Sequence, residues 1–383
     1  MRYMQLYKRH LAGNVHGGST TPENNASQLR ISVAMATYNG EKYIEEQLLS
    51  ICRQTRKPDE IVISDDGSRD ATLEVVARVA ASEDAKGIDF VVITDNPRHG
   101  YCGNFEWAIQ NTTGDLIFLS DQDDIWFPEK ISSIVAVFNQ YPDACLVCHN
   151  ATLIGKQGEP IDGLFDDRLC DDYLGQTIKG DVRKLHRDRY LETSVSWSGL
   201  RGMTFCISSY LKNIALPFPS CYGSHDKWLI FVAILEDACF YLNSELTGYR
   251  LHGDNTAGNA AFTGTWKDKF RKIWKRILHY QPQSPEYLHL GQRISDKLKN
   301  QCMEDSLAMN TAQRIIGIGK QLLVCETSGR VSGAIKLAKL FYTDIRFRRS
   351  GKGAFVYNMC YILLNSRRKR LKEIGDELLR KYM

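Results

Sequence analysis

The sequence predicts an α/β fold: a mostly parallel sheet with helices on both faces, followed by a basic, mainly helical C-terminal region. Three observations carry this expectation. Short apolar runs alternate with amphipathic stretches between residues 31 and 138, the pattern of strands joined by crossover helices. Polar and acidic strings follow the apolar runs directly, and in such sheets ligands bind beyond the carboxyl ends of the strands. Charge is also divided along the chain. Residues 261–383 carry 25 Lys+Arg against 10 Asp+Glu, whereas the whole chain carries 49 against 45.

The elements follow in order. Residues 31–36 form an apolar run that stops at Thr37-Tyr38-Asn39-Gly40, a buried strand entering a loop. Residues 43–54 have helical spacing, with Ile44, Leu48, Leu49 and Ile51 inward. A second strand over 61–63 stops at Ser64-Asp65-Asp66-Gly67-Ser68. A helix over about 70–81 sets Leu73, Val76, Ala77 and Ala80 on one face. Residues 90–93 read as a third strand, 103–111 as a helix and 116–119 as a fourth strand, which ends at Ser120-Asp121-Gln122-Asp123-Asp124. Pro128 suits the first turn of the next helix, through Ile131, Ile134 and Phe138.

Bulk properties narrow the class. The 383 residues are 43% hydrophobic and 25% charged, ordinary values for a folded chain. Residues 1–27 read as a polar, disordered lead-in without the apolar core of a signal peptide. Residues 28–260 hold the sheet, and 261–383 the basic region. No run reaches the roughly 20 apolar residues of a membrane-spanning helix. The nearest, 354–364, is broken by Asn358. Eleven scattered cysteines fit no framework and point to a reducing compartment. Cys145-Leu-Val-Cys148-His149 matches a haem-attachment string, but it lies in what reads as a buried strand, where alternation sends the two thiols to opposite faces.

Two strings carry chemistry. Asp121-Gln122-Asp123-Asp124 follows an apolar strand directly. Carboxylates at a strand end can hold a divalent cation, and Mg2+ binds through one or two carboxylates plus substrate phosphates. A bare Asp-x-Asp is usually a solvated turn; its place after this strand gives it weight. In Asp65-Asp66-Gly67-Ser68 a carboxylate can accept hydrogen bonds from a base or ribose, Gly67 permits the turn and Ser68 can cap the next helix. Alone, that string is a turn and cap. No G-x-G-x-x-G string follows the first strand and no Walker-type loop is present, which lowers a dinucleotide enzyme and a P-loop NTPase.

Taken in order, Val33-Ala-Met-Ala-Thr-Tyr-Asn-Gly40, Ser64-Asp-Asp-Gly-Ser68, Gly103-Asn104, Leu119-Ser-Asp-Gln-Asp-Asp-Ile-Trp126, His225-Asp-Lys-Trp-Leu229 and Tyr249-Arg-Leu-His-Gly-Asp-Asn255 resemble the family 2 inverting glycosyltransferases of the GT-A fold. The resemblance covers roughly residues 28–260. The string over 120–126 is similar to a subgroup assigned to rhamnosyl transfer in bacterial surface polysaccharides. The resemblance implies that Thr37 and Asp65 or Asp66 contact the nucleoside and that Asn104 belongs to the donor side. It implies that Asp121 reaches the ribose or the metal, and that Asp123 binds Mg2+ or Mn2+ and through it the diphosphate. Asp226 would be the general base, with His225 in place of the acid that usually precedes it. His252 would add a metal or phosphate contact.

The chemistry explains these residue types. The leaving nucleoside diphosphate gains negative charge, which a divalent cation offsets. The attacking hydroxyl must lose a proton, so a carboxylate has to stand beside it, as in inverting glycosidases. Arg250 can bring positive charge to the diphosphate. Gly202, in a segment that resembles the acceptor side of the family, and Trp228, able to stack on a sugar face, join His225 as acceptor-side candidates. Trp197, Gly199 and Tyr222 belong to the same group; a plain turn and buried core are the ordinary alternatives for these residues.

Residues 265–280 place Trp266, Phe270, Ile273, Trp274, Ile277 and Leu278 at helical spacing with cations between them, a pattern suited to an anionic membrane surface. Packing of the apolar stripe on the first domain is the alternative, and no nucleic-acid-binding string is present. The expectation is a peripheral protein on the cytoplasmic face of the plasma membrane. It would take a nucleoside-diphosphate sugar, dTDP-rhamnose first and UDP-sugars next, and a lipid-linked saccharide acceptor. Rivals are an inactive membrane-bound scaffold that retains nucleotide-sugar binding and a sugar-phosphate nucleotidyltransferase. The latter would want a glycine- and lysine-rich first loop, which Thr37–Gly40 is not.

Overall fold

A computed structural model describes residues 29–97, 99–161, 180–186, 200–218, 224–252 and 292. The N-terminal lead-in, the basic region other than Gln292, and Trp197, Gly199 and Tyr222 lie outside the described residues.

The strands are β1 (Ile31–Thr37), β2 (Glu60–Asp65), β3 (Asp89–Ile93), β4 (Leu116–Ser120), β5 (Ile125–Trp126), β6 (Leu146–Ile154), β7 (Val182–Lys184), β8 (Phe205–Ser208) and β9 (Cys239–Arg250). The helices are α1 (Ile44–Cys52), α2 (Thr72–Ala80), α3 (Tyr101–Gln110), α4 (Lys130–Gln140), α5 (Ser209–Ala215) and α6 (His225–Leu235). Among the described residues the strands form one sheet in the order β3-β2-β1-β4-β8-β6-β9-β5, with β7 also on β9.

The β3-β2-β1-β4 half is parallel, as expected. The other half corrects the expectation of a mostly parallel sheet. Strand β8 lies antiparallel between β4 and β6, and β5 and β7 run antiparallel to β9, while β6 and β9 are parallel. The sheet is therefore mixed.

Side-chain alternation explains why both faces are covered. Ile31, Val33 and Met35 of β1 and Leu116 and Phe118 of β4 pack with α1, α2 and α4. Ala34, Ile117 and Leu119 point the other way, into α3, α5 and α6. Helix α6 is apolar nearly all round, and Trp228 through Ile234 are all buried, as a helix inside the core must be.

The predicted boundaries shift by one to three residues at most ends. Strands β2 and β4 each run on into their polar strings, so Asp65 and Ser120 are strand residues. Ser68 does not cap α2. The N-cap is Ala71, which offers no side-chain acceptor, and the Asp70 carboxylate before it accepts Thr72 N at 3.1 Å. Cys145 and Cys148 share one core cluster and do not face opposite ways, because Cys145 precedes the first paired residue of β6. His149 is 1% exposed, with Nδ1 2.6 Å from the Asn150 carbonyl. No helix among the described residues is long and apolar enough to cross a membrane.

Candidate active site

The parallel half of the sheet brings the first two loops together. Thr37 Oγ1 donates to Asp65 Oδ1 at 2.9 Å, and Asp65 also accepts Gly67 N at 3.0 Å, Ser68 N at 2.8 Å and Ser68 Oγ at 2.5 Å. Thr37 and Asp65 are therefore buried braces of the loop ends, 1% and 2% exposed. Gly67 has φ +81°, a conformation that favours glycine. Asp66 is only partly buried. It accepts Gly100 N at 2.8 Å and lies 2.8 Å from His99 Nδ1. Asn104 is buried on α3, where Nδ2 donates to the Thr37 carbonyl at 3.0 Å. The structure thus gathers Thr37, Asp65, Asp66 and Asn104 at one sheet edge, with Asp66 the most open of the four.

The acidic string stands at the same edge, after β4. Gln122 grips the first loop by accepting Tyr38 N at 2.9 Å and donating to Tyr38 O at 3.1 Å. One carboxylate oxygen each from Asp121, Asp123 and Asp124 lie within 4.8 Å of one another. Asp124 is fully buried; Oδ1 accepts Arg250 N at 3.0 Å, and Oδ2 has no hydrogen-bond partner. A buried carboxylate oxygen without a partner is costly. Burial, together with the charges of Asp123 and Asp121, pushes the Asp124 carboxyl well up. Burial raises the Asp121 carboxyl to about 7, with Asp123 and Asp226 adding to the shift.

The end of β9 holds this loop. His252 Nε2 lies 2.7 Å from Asp123 Oδ2, and its ring packs on Tyr43 with centroids 4.8 Å apart. Arg250 is a correction to the sequence expectation. Its guanidinium is 0% exposed and engages protein acceptors: the Asp123 carbonyl at 2.7 Å, Lys156 O at 2.9 Å, Gly155 O at 3.3 Å and Glu46 Oε2 at 2.6 Å. It braces the acidic loop from behind and does not reach toward a diphosphate.

Sequence reasoning missed Lys130. Its Nζ donates to Met203 O at 2.8 Å and Thr247 Oγ1 at 3.0 Å, and lies 3.9 Å from the Trp126 ring centroid. Burial pulls its ammonium down to about 7, against the pull of Asp124. The available signal was a cation on the same helical stripe as Ile134 and Phe138, where an apolar residue belongs.

Helix α6 brings the remaining candidates. Asp226 sits in its first turn, partly buried, and Oδ1 accepts from Ser224 Oγ and from Lys227 N, the latter at 2.7 Å. It is close enough to raise the Asp121 carboxyl. His225 is 6% exposed, stacked on Phe105 at 4.0 Å, and neither ring nitrogen has a hydrogen-bond partner. Burial lowers its pKa. A Cβ on Gly202 would collide with His225 Nε2, so the absent side chain at 202 makes room for the imidazole. Trp228 is a correction. It is 4% exposed, and Nε1 donates to Ala215 O at 2.9 Å. It is core and offers no open ring face.

Residues 32–177 match the glycosyl transferase family 2. The chain is 33% identical over 134 residues to an uncharacterized glycosyltransferase of Nostoc sp., covering 35% of this chain and 40% of that one. It is 39% identical over 120 residues to the dTDP-rhamnosyl transferase RfbG of Shigella flexneri, covering 30% and 38%. The match thus spans about two fifths of each relative. Among solved structures it is similar to S. aureus TarS in complex with UDP-GlcNAc, at 14% identity and TM-score 0.48, over 87% of this chain and 91% of that one. The matched segment contains β1, β2 and β4 with the loops at their ends, so the likeness to glycosyl transferase family 2 covers the part of the chain that forms the acidic edge.

Proposed function

We propose that the protein transfers a sugar from a nucleoside-diphosphate sugar to an acceptor hydroxyl, with inversion and with a divalent cation. One observation carries the reading: Asp121, Asp123 and Asp124 converge at the end of β4, with Asp226 near enough to act on Asp121. The donor set fits Mg2+ or Mn2+, since it offers hard carboxylate oxygens, one of them buried without a partner. A divalent cation bound there supplies Lewis-acid neutralisation of the leaving diphosphate.

The chain's own residues do the rest. Asp123 and Asp121 present oxygens, and His252 fixes the Asp123 carboxylate. Asp66 is the most open of the early-loop carboxylates and is the nucleoside contact we favour. Asp226 takes the proton from the acceptor hydroxyl as it attacks the anomeric carbon. Its Oδ1 is held by Ser224 and Lys227 N, which sets the carboxylate's direction. Gly202 and His225 form the adjoining acceptor-side wall.

The likeness to the rhamnosyl transferase supports dTDP-rhamnose as first donor, with UDP-sugars next. A lipid-linked saccharide acceptor and a peripheral position on the cytoplasmic face of the membrane rest on the sequence of the basic region. The test is nucleotide release from a panel of nucleotide sugars with Mn2+ or Mg2+, then with EDTA, with a membrane extract as acceptor. Metal-dependent release from one donor supports the reading. No release and no nucleotide binding from any donor overturns it.

A further inference from the structure

We infer that Lys130 is a positioning residue for the transfer. Its buried ammonium fastens the turn that stands between the acidic loop and the candidate base, and so sets how bound donor and acceptor meet. The inference rests on the proposed transfer reaction and adds a residue to it.

Lys130 is costly where it stands. It is 0% exposed, and burial strips an ammonium of its hydration. It is also the first residue of α4, where the helix dipole disfavours a cation. An apolar side chain of similar size would fill the space without either cost. The ammonium is used for its bonds. Nζ donates to Met203 O at 2.8 Å and to Thr247 Oγ1 at 3.0 Å, and it lies 3.9 Å from the Trp126 ring centroid.

The two bonds do different work. Thr247 is already fixed by backbone pairing: it stands opposite Trp126 in the β5–β9 ladder, and Phe127 N donates to Leu246 O at 3.0 Å. Met203 lies in the tight turn Gly202–Thr204, just before β8. Through Met203 O, Lys130 ties that turn to the start of the helix that follows the acidic loop, across 73 residues of chain.

The turn has the site on both sides. Strand β8 runs antiparallel to β4 with Cys206 opposite Phe118, so β8 begins at the carboxyl end of β4, where the Asp121–Asp124 loop starts. On the other side Gly202 meets His225, whose Nε2 would collide with a Cβ at that position. His225 opens α6, and Asp226 follows it in the first turn. The turn is thus the packing link between the loop that holds the donor and the carboxylate that takes the acceptor proton. Transfer depends on that separation, since a misplacement of about 1 Å can cost about a hundredfold in rate. Donor binding depends on it far less, because the acidic loop is held from β9, by Arg250 N on Asp124 and by His252 on Asp123.

The test uses the full chain and the variants Lys130→Met and Thr247→Val. Three quantities are read: affinity for Mn2+ alone, affinity for UDP, dTDP and GDP at saturating Mn2+, and nucleotide release from the donor sugar that depends on added membrane extract. In Lys130→Met both affinities stay within about twofold of the wild type while extract-dependent release falls about ten- to hundredfold. Thr247→Val, which keeps the bond to Met203 O, releases nucleotide as the wild type does. Should Lys130→Met alone unfold the chain, the double variant Lys130→Met/Thr247→Val, which leaves no hydroxyl orphaned, is read in the same way. A parallel fall in affinities and release would make Lys130 a support of the whole fold and overturns the inference. Undiminished release in Lys130→Met overturns it too, as does an equal loss in Thr247→Val. A wild-type chain that binds no nucleoside diphosphate sinks the transfer reading itself, whereas wild-type binding and transfer with undiminished Lys130→Met release sinks this inference alone.

Discussion

His252 Nε2 lies 2.7 Å from Asp123 Oδ2, which ties the last described residue of the β9 end to the middle of the acidic loop. The loop is held a second time through Arg250, by backbone N to Asp124 Oδ1 and by Nε to the Asp123 carbonyl. Its carboxylates are thus set in place by a strand more than a hundred residues further along the chain. His252→Ala is expected to lower Mn2+ affinity roughly 10- to 100-fold, the usual cost of losing a group that orients or joins a ligand set. Mn2+ titration of the variant checks this, and wild-type affinity would argue that the imidazole is incidental to the site.

Gly202 and His225 make a second prediction. The imidazole is stacked on Phe105 with centroids 4.0 Å apart, and its Nε2 would stand 2.4 Å from a Cβ at position 202. Gly202→Ala should destabilise the protein by about 1–3 kcal/mol, the cost of overpacking a filled site. The same substitution in a His225→Ala background should cost little. A double-mutant cycle by urea denaturation measures the difference, and additive effects would contradict the clash.

The buried charges predict an unusual pH profile for the metal-free protein. Burial raises the Asp121 carboxyl to about 7, so the native state holds a proton that the unfolded chain has released. That group's contribution to stability is complete below about pH 4 and is lost as pH rises through about 7. Burial lowers the Lys130 ammonium to about 7, so its contribution is complete above the usual lysine pKa of about 10.4 and is lost as pH falls through about 7. These two groups together place a minimum of stability near neutrality. Saturating Mg2+ should relieve the acid side of it, since a nearby cation favours the carboxylate. Denaturation from about pH 5 to about pH 9 checks the profile. The acid-side slope should shrink in Asp121→Asn, and a slope that survives this substitution would assign it elsewhere.

Arg250 acts on stability through the loop it supports. Arg250→Met orphans the carbonyls of Asp123, Gly155 and Lys156 and should cost roughly 3 kcal/mol or more. Thermal and chemical denaturation read this directly. A stable Arg250→Met variant with a selective loss of nucleoside diphosphate affinity would return Arg250 to the donor side.

The parts of this architecture legible in the sequence are those fixed by local pattern. The apolar runs before Thr37, Asp65 and Asp121 are strands, and their polar endings do converge, because parallel strands carry their carboxyl ends to one edge. What was not legible depends on partners distant in the chain. Arg250 looks like a phosphate ligand until Glu46, Asp123, Gly155 and Lys156 are seen around it. Trp228 looks like a sugar platform until α6 is seen to be buried from Trp228 to Ile234. Strand β8 is only four residues long, and nothing in Phe205–Ser208 dictates that it pairs antiparallel with both β4 and β6. Lys130 was hidden for a related reason: a lysine on an apolar stripe is tolerable only when acceptors such as Met203 O and Thr247 Oγ1 await it.

The central claim is that Asp226 takes the acceptor proton while the acidic loop, with its cation, holds the donor. The measurement that tests it most directly compares Asp226→Asn with Asp123→Asn in two assays, Mn2+-dependent nucleoside diphosphate binding and sugar transfer. Asp226→Asn should bind the nucleotide as the wild type does and lose transfer by at least about a hundredfold, while Asp123→Asn should lose both. Undiminished transfer in Asp226→Asn, or metal-dependent binding that survives Asp123→Asn, would contradict it.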